Sequence, residues 1–103
     1  MFTPDLDLAA VVHHDASHQR FEAVVDGLSC VADYRLSGSV VTFTHTGVPR
    51  ALQGRGVAAE LVRSALDWVR AEGLTVVPAC SYVHVYMQRH PATQDLLAQR
   101  PPR

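Results

Sequence analysis

Residues 49–58, Pro-Arg-Ala-Leu-Gln-Gly-Arg-Gly-Val-Ala, hold the densest chemistry of this 103-residue chain. Gly54 and Gly56 stand at the mouth of a helical pattern. Backbone without Cβ atoms turns tightly and approaches a ligand closely. The first amides of a helix lack internal partners and point outward as donors, and the helix dipole adds about 0.3–1 kcal/mol for an anion placed there. Arg50 and Arg55 bring positive charge to the same segment. The combination predicts a cradle for a phosphate or diphosphate; a loop that only turns into a helix is the plainer alternative. It is not a P-loop, because no Gly-Lys-Ser/Thr follows. Gly54-x-Gly56-x-x-Ala59 fits a dinucleotide pattern, but strands precede it and residues 74–79 contain no acid to hold a ribose.

Cys80, Tyr82 and Tyr86 form a second group. A thiol at a helix start can have a lowered pKa and act as a nucleophile, whereas an isolated cysteine is more often a small buried hydrophobe. Cys30 lies fifty positions from Cys80 with no CxxC, so both read as free thiols. His13, His14 and His18 span a strand and a turn and are read as solvated hairpin histidines rather than metal ligands.

The elements that must carry these groups follow from periodicity. Segments 9–14, 20–25, 30–36 and 39–48 are β-branched or alternating. Asp26-Gly27 and Ser37-Gly38 mark tight hairpins between them. Val57, Ala58, Leu61, Val62, Ala65, Leu66 and Val69 then recur at helical spacing, predicting a helix over 54–72 that Gly73 ends; Arg63 and Asp67 are spaced to pair on its outer side. Residues 74–79 read as a buried strand, and 82–89 and 93–99 as two short helices around His90-Pro91. A strand–helix–strand crossover is right-handed and makes its strands parallel. The fold expected is α+β, an antiparallel N-terminal meander plus a β-α-β unit with one parallel strand, in a single domain over 1–103.

Composition narrows the partners. Nine basic and ten acidic side chains give a formal charge of −1, and every cation is arginine. That balance lacks the basic excess of a nucleic-acid binder. No run approaches the ~18 apolar residues of a membrane span, and residues 1–10 do not read as a signal peptide. A cytoplasmic protein without a metal is expected.

Gln53-x-x-Gly56-x-Ala58 resembles the acyl-CoA signature Q/R-x-x-G-x-G/A of the GNAT acetyltransferase superfamily. His45-Thr46-Gly47-Val48-Pro49 before it, and Cys80-Ser81-Tyr82-Val83 with Tyr86 and His90-Pro91 after it, are similar to the strings HTEVP, PxCxY and HP of a subfamily of very small GNAT-like proteins. The resemblance covers roughly residues 21–97. It implies an N-acetyltransferase with acetyl-CoA as co-substrate and, as acceptor, the amine of a protein, a peptide or a small molecule. It also implies pantetheine along the strand edge at Thr46 and Val48. The diphosphate would lie on the amides of Gly54, Arg55, Gly56, Val57 and Ala58, with Gln53 opening the loop. The thioester would point toward Cys80, and Tyr86 would protonate the leaving thiolate. An amine of pKa ~10.4 costs about 4.6 kcal/mol to neutralise at pH 7, and Gly47 stands where the subfamily carries glutamate as a base. His45 is the first replacement, with His84, Glu22 and Asp33 behind it. The early helical segment and final hairpin of larger relatives are not evident, so the acceptor side is expected to be open or completed by a second subunit in a homodimer. A CoA-binding module without turnover and an accessory interaction protein are the two rival readings.

Overall fold

The computed structural model describes residues 11–99. Five strands lie side by side in chain order: β1 (Val12–Asp15), β2 (Arg20–Val25), β3 (Leu28–Ser37), β4 (Val40–Gly47) and β5 (Thr75–Pro78). Neighbours are antiparallel from β1 to β4, and β4 and β5 are parallel. The mixed sheet is the one the sequence predicts. Asp26 and Gly27 join β2 to β3 with φ of 52° and 76°, the left-handed pair that a two-residue hairpin needs.

Helix α1 (Val57–Ala71) carries β4 over to β5. Its predicted stripe is buried at Val57, Leu61, Val62, Ala65, Leu66 and Val69. Glu60 in its first turn and Arg70 in its last complement the dipole. At its end the Leu74 amide donates to the Val69 carbonyl and the Gly73 amide to Arg70, with Gly73 at φ 68°, which closes the helix as a Schellman motif. Arg63 pairs with Glu60 and with Asp67 (2.6 Å) on the outer face. Helix α2 (Ser81–Arg89) follows β5 and buries Val83 and Met87 in the same core as α1.

The core lies on one side of the sheet, where Phe21, Ala23, Val25, Cys30, Ala32, Tyr34, Val41 and Phe43 alternate inward. Their neighbours Arg20, Glu22, Asp33, Arg35 and His45 face the other side. β1 and β2 are joined by a single 3-10 turn (Ala16–His18), so this outer face has no helix from that connection.

Two expectations need correcting. Residues 93–99 do not form an α-helix. Pro91 starts a 3-10 stretch (Pro91–Leu96), and Leu97 then turns extended and bridges Val76, so the chain begins to extend the sheet beside β5. The bond from the Ala98 amide to the Val76 carbonyl (2.8 Å) outweighs another helical turn. Nor are the three histidines alike. His13 and His18 are exposed, but His14 stacks on Phe21 with centroids 4.1 Å apart, meets Trp68 edge-on at 4.6 Å, and shares a 2.6 Å hydrogen bond with the Tyr34 hydroxyl. The strand's alternation turns His14 inward. Of the predicted first strand, residues 9–10 lie outside the described residues, as does the tail at 101–103.

Candidate functional site

β4 and β5 stay paired from Val40 and Thr75 to Phe43 and Pro78. The last tie is the Cys80 amide, donating to the Phe43 carbonyl at 2.8 Å. Beyond it the strands part for two local reasons. The Ala79 amide, next in line to face β4, bonds back to the Val77 carbonyl (3.1 Å) and does not cross to β4. The register of β3 on β4 also slips between Asp33 and Tyr34, so Thr44 is an extra residue that bulges β4 and re-aims it. Residues 45–47 of β4 therefore pair only with β3, and the edge that faced β5 carries amides and carbonyls without a strand partner among the described residues.

A cleft of about 440 Å³ opens beside this edge, lined by Thr46, Val48, Gln53, Gly54, Gly56, Val57 and Ala58, together with Leu52, Ala59 and Tyr82. Gly56 is the N-cap of α1, and both Gly54 and Gly56 sit at φ 82°. A Cβ at either would meet no atom within 4 Å, so the left-handed backbone, and not crowding, is what requires glycine there. The buried Leu52 pins the preceding 3-10 turn (Arg50–Leu52), and the Gln53 amide group donates to the Val48 carbonyl (3.2 Å), bracing the loop.

Cys80 touches the cleft through Thr46, whose hydroxyl lies 3.5 Å from Sγ. Burial pushes the thiol pKa up, but the Thr46 hydroxyl and the amides of Val83, Tyr82 and Thr46 outweigh it and bring it below the usual value. None of the first-turn amides of α2 forms a full cap bond to the sulfur; they act by proximity and favour the thiolate. Cys30 is fully buried, and burial raises its pKa. Both thiols are free.

Several candidates lie elsewhere. Arg55 turns from the cleft to pair with Asp26 of the β2–β3 turn at 2.8 Å. Tyr86 lines an adjoining groove of about 230 Å³ with Ala59, Tyr82, Val85, Arg89 and His90, and its ring stacks on His90 at 4.0 Å. Tyr82 reaches both the groove and the cleft. Burial pushes both phenols up, so both remain protonated at neutral pH. Sequence reasoning singled out Tyr86; the available signal for Tyr82 is its place one helical turn earlier, on the same face.

His45 projects from the outer face of the sheet, opposite in sense to Thr46. Its Nε2 lies 2.9 Å from where a Cβ on Gly47 would stand, so the imidazole folds over the glycine. Among the other base candidates, Glu22 accepts from the Ser29 hydroxyl (2.7 Å), Asp33 pairs with Arg20 (3.3 Å), and His84 lines a separate pocket with Pro78, Met87 and Gln88.

Comparison with known proteins gives this geometry a family. Residues 20–96 match the model of the GCN5-related N-acetyl-transferases. The chain is 34% identical over 93 residues to protein NATD1 of Mus musculus, covering 87% of this chain and 84% of that one. It is 34% identical to protein NATD1 of Homo sapiens, covering 87% and 82%, and 30% identical to that of Danio rerio, covering 89% and 86%. An NMR structure of a GCN5-like protein from Staphylococcus aureus shares the fold, with a TM-score of 0.70, 20% identity, and coverage of 96% and 94%. The parted strands, the glycine-capped helix and the matched residues agree: the chain belongs to the GCN5-related N-acetyltransferase family, whose co-substrate is acetyl-CoA.

Proposed function

We propose that acetyl-CoA binds in the cleft between β4 and β5 and that its acetyl group passes to an amine arriving on the outer face of the sheet. The parting of β4 from β5 beside the glycine-capped start of α1 carries this reading. Pantetheine takes the place of the missing strand, bonding to the free edge of β4 at 46–48. The diphosphate accepts from the amides between Gly54 and Ala58. Arg55 joins them only by leaving Asp26. The acceptor comes to the thioester from the side opposite α1, the face from which His45 projects.

His45 is the base in this scheme. The imidazole occupies the space over Gly47 where a carboxylate would otherwise project, and it takes a proton from the acceptor ammonium. The neutral amine attacks the acetyl carbonyl, the C–S bond breaks, the CoA thiolate takes a proton from a tyrosine, and the proton shed by the newly acylated nitrogen restores the phenol. Tyr86 is the residue the family resemblance implies, while Tyr82 is the one that lines the cleft. Cys80 offers a two-step route: its thiolate takes the acetyl group and releases CoA, and the amine then attacks the new thioester.

Acetyl-CoA at a hundred times its Kd should stabilise the fold by about 2.7 kcal/mol, seen as a rise in Tm. Gly56→Val should weaken acetyl-CoA binding at least about tenfold, because it forces a β-branched residue into left-handed backbone and tilts the amide donors. Unchanged affinity in a folded Gly56→Val protein would overturn the cradle. Tyr82→Phe and Tyr86→Phe, compared by CoA release, assign the acid: the true donor loses roughly a hundredfold or more in turnover, the other little.

A further inference from the structure

The outer face holds a second cavity of about 350 Å³, one residue from His45 and separate from the cleft. It is bounded by His18 and Gln19 of the β1–β2 turn, Arg20 of β2, Asp33, Tyr34 and Arg35 of β3, and Thr44 at the bulge. Charge is unevenly spent there. His18 Nδ1 rests on the Asp15 carboxylate (2.8 Å) and Arg20 faces Asp33 (3.3 Å), while Arg35 makes no ion pair among the described residues. Even the Arg20–Asp33 pair is held by charge alone: Nε and Oδ1 are buried, lack hydrogen-bond geometry and find no other partner. The outer nitrogens of Arg20 make no hydrogen bond among the described residues, leaving them open to an anion.

The wall is braced. Gln19 is held at φ 52°, its carbonyl accepts the Tyr34 amide (2.9 Å), and its side-chain oxygen accepts the Leu36 amide (2.7 Å), so β3 is clamped on both sides of Arg35. The position relative to the chemistry is fixed by register. Asp33 pairs with His45 across the strands, and Arg35 follows Asp33 on the same face, about 7 Å further along at the usual strand rise. The arginine side chain is long enough to reach back over that distance, so one small molecule can present its amine to His45 and its acid to Arg35.

We propose that the acceptor carries a carboxylate as well as its amine, and that this cavity holds the carboxylate on Arg35 and Arg20 while the amine faces His45. This rests on the acyl-transfer reading above. The acid is that of a free amino acid or of a peptide, and the two are separated by experiment. The full chain is given acetyl-CoA with matched acceptors: amino acids, dipeptides, and the same compounds with the carboxylate amidated. CoA release reads kcat/KM. Acids should exceed their amides by roughly ten- to a hundredfold, the worth of a charge-assisted hydrogen bond. The difference should lie in KM. Arg35→Gln should bring the acids down to the level of the amides, and Arg35→Lys should restore part of the gap. A preference confined to amino acids, or shared by dipeptides, names the source.

Equal rates for acids and amides, or an equal loss on both in Arg35→Gln, would overturn the carboxylate site and leave acyl transfer standing. If no amine is acetylated, the acyl-transfer reading falls, and a second measurement still decides this one. N-acetylglycine and its amide are titrated into labelled protein and followed by NMR. Shifts at the Arg35 and Thr44 amides with the acid alone support the site, and none with either compound overturns it.

Discussion

The two ends of the sheet solve opposite problems. On the β1–β3 side the strands pair without interruption, and the space under them is filled by His14, Phe21, Tyr34 and the Trp68 ring from α1, with Phe21 and Tyr34 almost wholly buried. On the β4–β5 side the pairing stops after four residues, and backbone polar groups of β4 are left without a strand beside them among the described residues. The closed end stabilises; the parted end is where we propose that acetyl-CoA binds. In a domain of this size net stability is only about 5–15 kcal/mol, so leaving one end open is tolerable only because the other is densely packed. The open end in turn keeps its edge from being a flat template for pairing: it is short, bulged at Thr44, and flanked by a loop that carries Arg50, Gln53 and Arg55.

The comparison breaks most sharply at Phe21. Truncating this buried ring should cost about 3–5 kcal/mol, read as a lower urea midpoint. Thr46→Ala at the parted end, partly exposed and with its hydroxyl bonded among the described residues to Cys80 alone, should cost well under a third of that. If the two losses came out alike, the division of labour would be wrong. Thr46 should instead register in chemistry. Its hydroxyl is the largest of the influences that lower the Cys80 pKa. In Thr46→Val the pH midpoint for alkylation of Cys80 should rise, and the rate at neutral pH should fall several-fold. Cys30, buried and raised, should stay slow in both proteins. Mass spectrometry of the alkylated peptides measures each thiol separately.

How much of this is legible in the chain depends on whether a feature is local. Asp26-Gly27, the stripe of α1 and its glycine stop are set by neighbours within a few positions, and each appears where periodicity and turn chemistry put it. The residues around the cradle are also contiguous, so residues 53–58 could be read as a unit. What needs tertiary register is not legible. Arg55 looks like a ligand for an anion, yet its partner Asp26 is 29 positions away and is brought close only by the β2–β3 hairpin. Tyr82 and Tyr86 share a helix face, so spacing alone does not say which of them reaches the cleft. The relation of His45 to Gly47 sits between these cases: two residues apart on a strand places them on the same face, but that the ring folds over the glycine depends on the open space beside it.

The smallest effect tests the closed end by pH. Burial among Phe21, Tyr34 and Trp68 is the main cause that pushes the His14 pKa below the usual 6.5; neighbouring His13 pushes the same way, and Asp15 opposes them. Below 6.5 the unfolded chain takes up a proton that the folded one resists, so the unfolded state binds more protons and stability falls as pH drops. The contribution is whole above 6.5, declines on the way down, and is spent once pH passes the folded value. Asp15 acts in a different window. The Ser17 hydroxyl first, then His18, hold its carboxyl at about 2 against the usual 3.8, so what it contributes is lost only below 3.8. Tm measured from pH 7.5 to pH 5 should therefore slope downward through His14 and not through Asp15. His14→Gln, which can keep a hydrogen bond to Tyr34 but does not titrate, should flatten that slope, while Asp15→Asn should leave its sign unchanged. A slope that survives His14→Gln would mean that the sealed end of the sheet does not depend on a neutral imidazole.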